Sequence, residues 1–139
     1  MKKHSANAVW NGSIKEGSGK MSTKSKALDN TPYSFKTRFE EENGTNPDEL
    51  IAASHAGCFS MALSLILGEN GFTPDSIETK AVVTMDPAKL ELVSSHLVLK
   101  AKIPNIDEAK FTEIANAAKE NCPISKILNL DITLEATLL

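Results

Sequence analysis

The feature that most constrains this chain is the stretch of residues 46–68, which has the pattern of one long apolar helix. Asn46 is a favourable N-cap, and Pro47 suits the first helical position because no N–H is needed there. Gly68 is a suitable C-terminal stop. Residues 50–67 hold only four clearly polar side chains, and these form no continuous polar stripe: Ser54, His55, Ser60 and Ser64. A helix that is apolar on nearly every side is predicted to be central and buried.

The start of this helix is acidic. Asp48 and Glu49 place negative charge at the positive end of the helix dipole, and Glu49 stands at the capping-box spacing from Asn46. Capping alone would explain both carboxylates. The helix approaches the length of a membrane span, but its charged start and interior polar residues favour the core of a soluble protein.

Length and composition indicate one soluble domain over residues 1–139. The hydrophobic share of 41% and the charged share of 24% are ordinary for a globular protein. A net charge of -3 argues against nucleic acid or an anionic membrane as partner. The first five residues lack the apolar segment of a signal peptide, so we expect a cytoplasmic location.

Strand and helix patterns on both sides of the central helix predict an α+β fold. We expect a hairpin through Asn11-Gly12 and a polar, partly loop segment at residues 20–31. Alternating or apolar runs predict strands at residues 6–10, 13–15, 33–39, 77–85, 92–103 and 130–138. Residues 107–121 predict an amphipathic helix, and residues 122–125 a short helical turn.

The two cysteines, Cys58 and Cys122, are too far apart in sequence for a CxxC or zinc-finger pattern. A cysteine in an apolar helix is most often an inert, buried side chain. In the reducing cytosol, however, a cysteine pair is more often redox-active than a permanent cross-link.

His55 and Cys58 are three residues apart and share a helix face, which fits a nucleophile pair or half of a metal site. His4 and His96 have no spacing that completes a metal site, so a hydrogen-bonded core histidine is favoured. Two alternatives therefore stay open beside a redox enzyme. One is a thiol hydrolase using Cys58 and His55, and the other is a non-catalytic ligand-binding dimer with inert cysteines.

Five segments together resemble the OsmC branch of the OsmC/Ohr peroxidases. They are residues 35–39 (FKTRF), 44–64 (GTNPDELIAASHAGCFSMALS), 71–74 (GFTP), 121–125 (NCPIS) and 132–134 (ITL). The resemblance implies antiparallel sheets wrapped around long central helices in an intertwined homodimer. It also implies an organic hydroperoxide reductase without metal or other cofactor, served by an external dithiol of the lipoyl kind.

The resemblance assigns a role to each candidate site residue. Cys58 matches the peroxidatic cysteine, which becomes a sulfenic acid, and Cys122 matches the resolving cysteine, which forms a disulfide with it. Arg38, the only arginine of the chain, matches the assisting arginine. The family's glutamate is replaced by Asp48, so either Asp48 or the adjacent Glu49 takes that role.

Two further expectations come from the residues themselves. The apolar setting of Cys58, with aromatic residues beside Arg38, predicts a preference for bulky organic hydroperoxides over hydrogen peroxide. The all-round apolar helix predicts an obligate homodimer, because the strands of one chain cover only one of its faces. Along one straight helix Asp48 and Cys58 would lie about 15 Å apart, so either the helix breaks or the site is shared between subunits.

Overall fold

The computed structural model describes all residues, 1–139, as two compact units, Met1–Leu50 and Ile51–Leu139. Each unit has its own three-stranded sheet. The first unit contains β1 (Ala6–Asn11), β2 (Ser18–Thr23), β3 (Thr31–Tyr33) and the short helix α1 (Phe35–Phe39). Helix α2 (Pro47–Glu69) starts there and continues into the second unit. The second unit further contains β4 (Ser76–Asp86), β5 (Glu91–Lys102), α3 (Glu108–Asn121), α4 (Pro123–Ile127) and β6 (Asp131–Leu138).

The first sheet is antiparallel, with the order β1-β2-β3. The predicted tight turn at Asn11-Gly12 is wrong in length, because residues 12–17 all belong to the connection and β2 starts only at Ser18. The strand predicted at residues 13–15 is therefore wrong, whereas the segment of residues 20–31 is partly loop as predicted, with strand at both ends. Only glycine fits at position 19 of β2, because a Cβ there would lie 2.5 Å from the Tyr33 ring and 2.7 Å from the Val9 carbonyl oxygen.

The strand predicted at residues 33–39 is wrong beyond Tyr33, because the chain turns into α1. Ser34 caps this helix: its hydroxyl accepts from the Thr37 N–H at 3.1 Å, and the Thr37 hydroxyl accepts from the Ser34 N–H at 2.9 Å. Phe35 and Phe39 are four residues apart, and their ring centroids lie 4.7 Å apart. Residues that alternate at every second position also include pairs four positions apart, so the same aromatic pattern fits a strand and a helix. The Ser34 cap favours the helix.

Helix α2 begins as the sequence predicts. The Asn46 side-chain oxygen accepts from the Glu49 N–H at 2.8 Å, and Pro47 is the first helical residue. The reciprocal half of the capping box is replaced, since the Glu49 carboxylate accepts from the Thr45 hydroxyl at 3.1 Å. The helix ends one residue after Gly68 and is unbroken along its length.

The second sheet has the order β4-β5-β6, in which β4 and β5 are antiparallel but β5 and β6 are parallel. The expectation of antiparallel sheets is therefore wrong for β6. Helices α3 and α4 lie between β5 and β6 in the chain, and such a helical crossover brings the chain back to run in the same direction.

The hydrophobic core of the second unit is drawn from one face each of α2, β5 and α3. Its fully buried members are Phe59, Leu63 and Leu67 on α2, Leu97, Leu99 and Ala101 on β5, and Phe111, Ala115 and Ala118 on α3. Cys122 belongs to the same buried cluster. The residues of α2 that point into this core recur every four residues, as one helical stripe must.

The opposite face of α2 is uncovered in the single chain. Met61 is 76% exposed and Leu65 is 64% exposed, so the prediction of burial on every side is wrong for one chain alone. By length and composition alone, the helix could cross a membrane. Length and composition alone do not distinguish such a span from a core helix that packs against a partner.

Candidate active site

The second unit brings the two cysteines together. Cys58 lies in the middle of α2 and is half-buried, whereas Cys122 is fully buried at the junction of α3 and α4. The Cys122 N–H still bonds to the Ala118 carbonyl at 2.9 Å, and Pro123 then starts α4 in a new direction. At this break the Cys122 thiol contacts the Cys58 thiol on α2, and both are free.

The surroundings of Cys58 oppose its ionisation. Burial raises the pKa of the Cys58 thiol above its ordinary value, and the neighbouring Cys122 thiol raises it further. The backbone N–H of Ile124, on the first turn of α4, interacts with the sulfur and lowers the pKa. Since the thiolate is the reactive form, a cysteine in this setting needs a further positive group to be reactive at neutral pH.

Cys58 opens into an apolar groove of about 750 Å³ between α2 and the start of α4. Met61 and Leu65 line it from α2, and Pro123 and Ile124 line it from the other side. The groove thus exposes one thiol to a molecule with a hydrocarbon body and keeps the other thiol buried behind it.

The first unit brings Arg38 and Asp48 together. The guanidinium donates from Nε to Oδ2 at 3.1 Å and from Nη2 to Oδ1 at 2.9 Å, a two-point pair. Their side chains are 34% and 16% exposed. Glu49 makes no such contact and accepts from Thr45 instead, so Asp48 is the partner of Arg38. The Arg38 guanidinium carbon also lies 5.3 Å from the centroid of the Phe39 ring.

His55 is a fully buried histidine with both ring nitrogens engaged. Nδ1 lies 2.7 Å from the Ser95 hydroxyl on β5, and Nε2 lies 2.9 Å from the Ser125 hydroxyl on α4. Burial lowers the pKa of His55, so the ring is neutral near pH 7. The favoured interpretation of His55 as a hydrogen-bonded core residue is confirmed, and a Cys58–His55 nucleophile pair is not formed.

Sequence reasoning missed the two serines that hold His55. Ser95 carries a weak signal, since it alternates with the buried Leu97 and Leu99 along β5. Ser125 lies three residues after Cys122, within the short motif already identified around that cysteine. Across the chain, no group of three or more His, Cys, Asp or Glu side chains is arranged to hold a metal ion.

Comparisons with known proteins agree with this fold. The sequence profile of the OsmC-like proteins matches residues 40–137. Peroxiredoxin OsmC of Escherichia coli K12 is 51% identical over 130 residues, which cover 92% of this chain and 91% of that protein. The organic hydroperoxide resistance protein OhrB of Bacillus subtilis is 37% identical over 100 residues, covering 69% of this chain and 72% of that protein.

Solved structures of OsmC and Ohr proteins have a similar fold. The crystal structure of Bacillus subtilis OhrB has a TM-score of 0.66 at 28% identity, covering 96% of this chain and 98% of that one. An OsmC-like protein from Mycoplasma pneumoniae has a TM-score of 0.76 at 17% identity, covering 99% and 98%, and supports the fold alone. The chain therefore belongs to the OsmC-like protein family, within its OsmC branch.

Proposed function

We propose that this protein is a thiol-dependent peroxidase that reduces organic hydroperoxides to alcohols. The observation that carries the proposal is the pair of free thiols in side-chain contact, of which Cys58 faces an apolar groove and Cys122 is buried. Relatives named as a peroxiredoxin and as an organic hydroperoxide resistance protein support the same chemistry.

In the first step, the Cys58 thiolate attacks the outer oxygen of the hydroperoxide. The O–O bond breaks, the sulfur becomes a sulfenic acid, and the alkoxide leaves and takes up a proton to become the alcohol. The sulfur loses two electrons and the peroxide gains them. The apolar groove holds the organic part of the substrate, and so favours organic hydroperoxides over hydrogen peroxide.

In the second step, the Cys122 sulfur attacks the Cys58 sulfenic acid. An S–S bond forms, and the sulfenic oxygen leaves as water. The side-chain contact between Cys122 and the Cys58 thiol supports a resolving step that needs little movement. An external dithiol, of the lipoyl kind, then reopens the disulfide by thiol–disulfide exchange.

Arg38 and Asp48 serve the first step. A guanidinium fixed by a two-point pair is a permanent positive charge in a defined orientation, which can offset the burial that raises the pKa of Cys58. Because α2 is unbroken, the ten residues from Asp48 to Cys58 span about 15 Å along one helix. We therefore assign the Arg38–Asp48 pair of one subunit to the Cys58 thiol of its partner.

This assignment requires a homodimer, and the uncovered face of α2 supports one. The exposed residues of that face alternate at intervals of three and four, the spacing of a helix–helix seam: Ser54, Gly57, Met61, Ser64 and Gly68. A Cβ added at Gly57 would meet no heavy atom within 4 Å, so a second helix has room to approach closely. We propose an intertwined, two-fold dimer in which paired α2 helices form the centre.

The rest of the proposal concerns the whole chain. Solved relatives match 96% and 99% of it, which supports a single OsmC-like domain over residues 1–139. We propose that it acts in the cytoplasm, without a metal or other cofactor, where dithiol reductants are available.

Turnover with a dithiol tests the catalytic roles. Cys58→Ser removes the nucleophile and should abolish hydroperoxide consumption with dihydrolipoamide as reductant. Cys122→Ser should consume one equivalent of substrate to form the Cys58 sulfenic acid and a second to form the sulfinic acid, and then stop. Normal turnover by Cys58→Ser would overturn the assignment.

Subunit mixing tests the shared site. Arg38→Ala and Cys58→Ser dimers should each be inactive, or nearly so, when measured alone. After subunit exchange, a mixed dimer combines one intact Arg38 with one intact Cys58, and activity should return. If the mixture stays as inactive as its parents, the arginine and the thiol act within one subunit.

A further inference from the structure

The hydrogen-bond chain Ser95–His55–Ser125, here called the His55 bridge, connects the two cysteine-bearing segments. His55 lies on α2, one helical turn before Cys58, and Ser125 lies on α4, one turn after Cys122. The bond between His55 Nε2 and the Ser125 hydroxyl, at 2.9 Å, therefore fastens α4 to α2 next to the thiols. On the other side, Ser95 fixes the ring through Nδ1 at 2.7 Å.

The hydrogen bonds of the His55 bridge are shielded from water and anchor a short helix. His55 and Ser95 are 0% exposed and Ser125 is 8% exposed, so water does not compete for these bonds. Helix α4 has only five residues and makes few hydrogen bonds of its own, so its position depends on what anchors it. Ile124, whose N–H interacts with the Cys58 sulfur, is the direct neighbour of Ser125.

Resting on the peroxidase function proposed above, we infer that His55 is a positioning residue for the resolving step. Through Ser125 it holds the α4 turn against α2, so that the Cys122 thiol stays within reach of the Cys58 sulfenic acid. Disulfide formation then outruns attack by a second hydroperoxide, which would convert the sulfenic acid to a sulfinic acid. His55 itself transfers no proton to the substrate and touches no reacting atom.

The test compares variants that differ in one bond of the bridge. Ser125→Ala removes the bond to α4, and His55→Asn places an amide near the Nδ1 position only, so both lose the anchor. His55→Gln places an amide near the Nε2 position and should restore it. Ser60→Ala is the matched control, because Ser60 also lies on α2 and its hydroxyl bonds to Thr79 at 2.8 Å, away from α4.

Single-turnover quench with cumene hydroperoxide separates the two steps by intact mass. The anchor-loss variants should form the disulfide about two- to tenfold more slowly, the range of one net hydrogen bond, whereas consumption of the first equivalent, which does not involve Cys122, should slow much less. Excess hydroperoxide should then give them more sulfinic acid than the wild type. His55→Gln and Ser60→Ala should behave as the wild type. A merely structural defect would slow both steps together.

A redox equilibrium with glutathione tests the bridge even if the protein proves not to be a peroxidase. The equilibrium constant for the Cys58–Cys122 disulfide measures how closely the fold holds the two thiols. It should fall about two- to tenfold in Ser125→Ala and stay unchanged in Ser60→Ala. Equal constants in all folded variants, or an equal loss in Ser125→Ala and Ser60→Ala, would overturn the role of His55. Failure of the wild type to consume hydroperoxide would refute the proposed function instead.

Discussion

The uncovered face of α2 makes a quantitative prediction for Leu65→Ala. Leu65 is 64% exposed in the single chain, where it lines the groove beside Cys58, and in the proposed dimer the partner's α2 lies over that groove and covers this area. The substitution removes apolar surface without adding charge, and Leu65 is outside the buried core cluster. It should therefore weaken the association of subunits and leave the fold of each subunit intact.

The size of the effect follows from the exposed fraction. Burying a whole leucine side chain contributes about 1.5–3 kcal/mol, and roughly two thirds of Leu65 is available for the partner. Each subunit should thus lose about 1–2 kcal/mol. Two-fold symmetry repeats the change, so a dimer should lose about 2–4 kcal/mol, which is a rise of roughly 30- to 1000-fold in the dissociation constant.

Analytical ultracentrifugation over a dilution series measures this constant. Leu90→Ala is the matched control, because Leu90 is 77% exposed but lies in the turn between β4 and β5. The control should associate as the wild type does. If Leu65→Ala and Leu90→Ala have equal dissociation constants, α2 is not the dimer seam, and a wild-type monomer would refute the dimer altogether.

Three further predictions concern single residues. Burial lowers the pKa of His55 below its ordinary value of 6.5, so below about pH 6.5 the unfolded chain binds more protons than the folded one. The free energy of unfolding should therefore fall as the pH drops below about 6.5, by up to about 1.4 kcal/mol per pH unit. Urea titrations at several pH values should show a weaker pH dependence of this free energy in His55→Gln. Arg38→Lys loses the two-point pair with Asp48, and kcat/KM should fall on the order of tenfold, whereas an unchanged value would mean that only the charge matters. Phe59→Ala opens a cavity at a fully buried site and should cost about 3–5 kcal/mol in denaturant unfolding, and a cost below 1 kcal/mol would contradict the core described here.

Local signals made much of the fold predictable. The N-cap Asn46 with Pro47 after it defined the start of α2 because capping depends on a few adjacent residues. The alternating runs located β4, β5 and β6 within a residue or two, and the family resemblance pointed to Cys58 and Cys122, whose free thiols lie close together. The fold class α+β is confirmed.

Other features depended on contacts that a sequence pattern does not contain. Phe35 and Phe39 fit the spacing of a strand and also that of a helix, and the Ser34 cap selects the helix at residues 35–39. The parallel placement of β6 depended on how α3 and α4 return the chain. The serines of the His55 bridge come from β5 and α4, far apart in sequence, so only the folded chain identifies them.

The most direct test of the peroxidase proposal is the intact mass of the reduced protein after one equivalent of an alkyl hydroperoxide. The wild type should lose two hydrogens as the Cys58–Cys122 disulfide forms, with release of a matching amount of alcohol. Cys122→Ser should instead gain oxygen at Cys58, and Cys58→Ser should keep its mass. A wild-type protein whose mass and two thiols stay unchanged, with the hydroperoxide left unconsumed, would contradict the proposal.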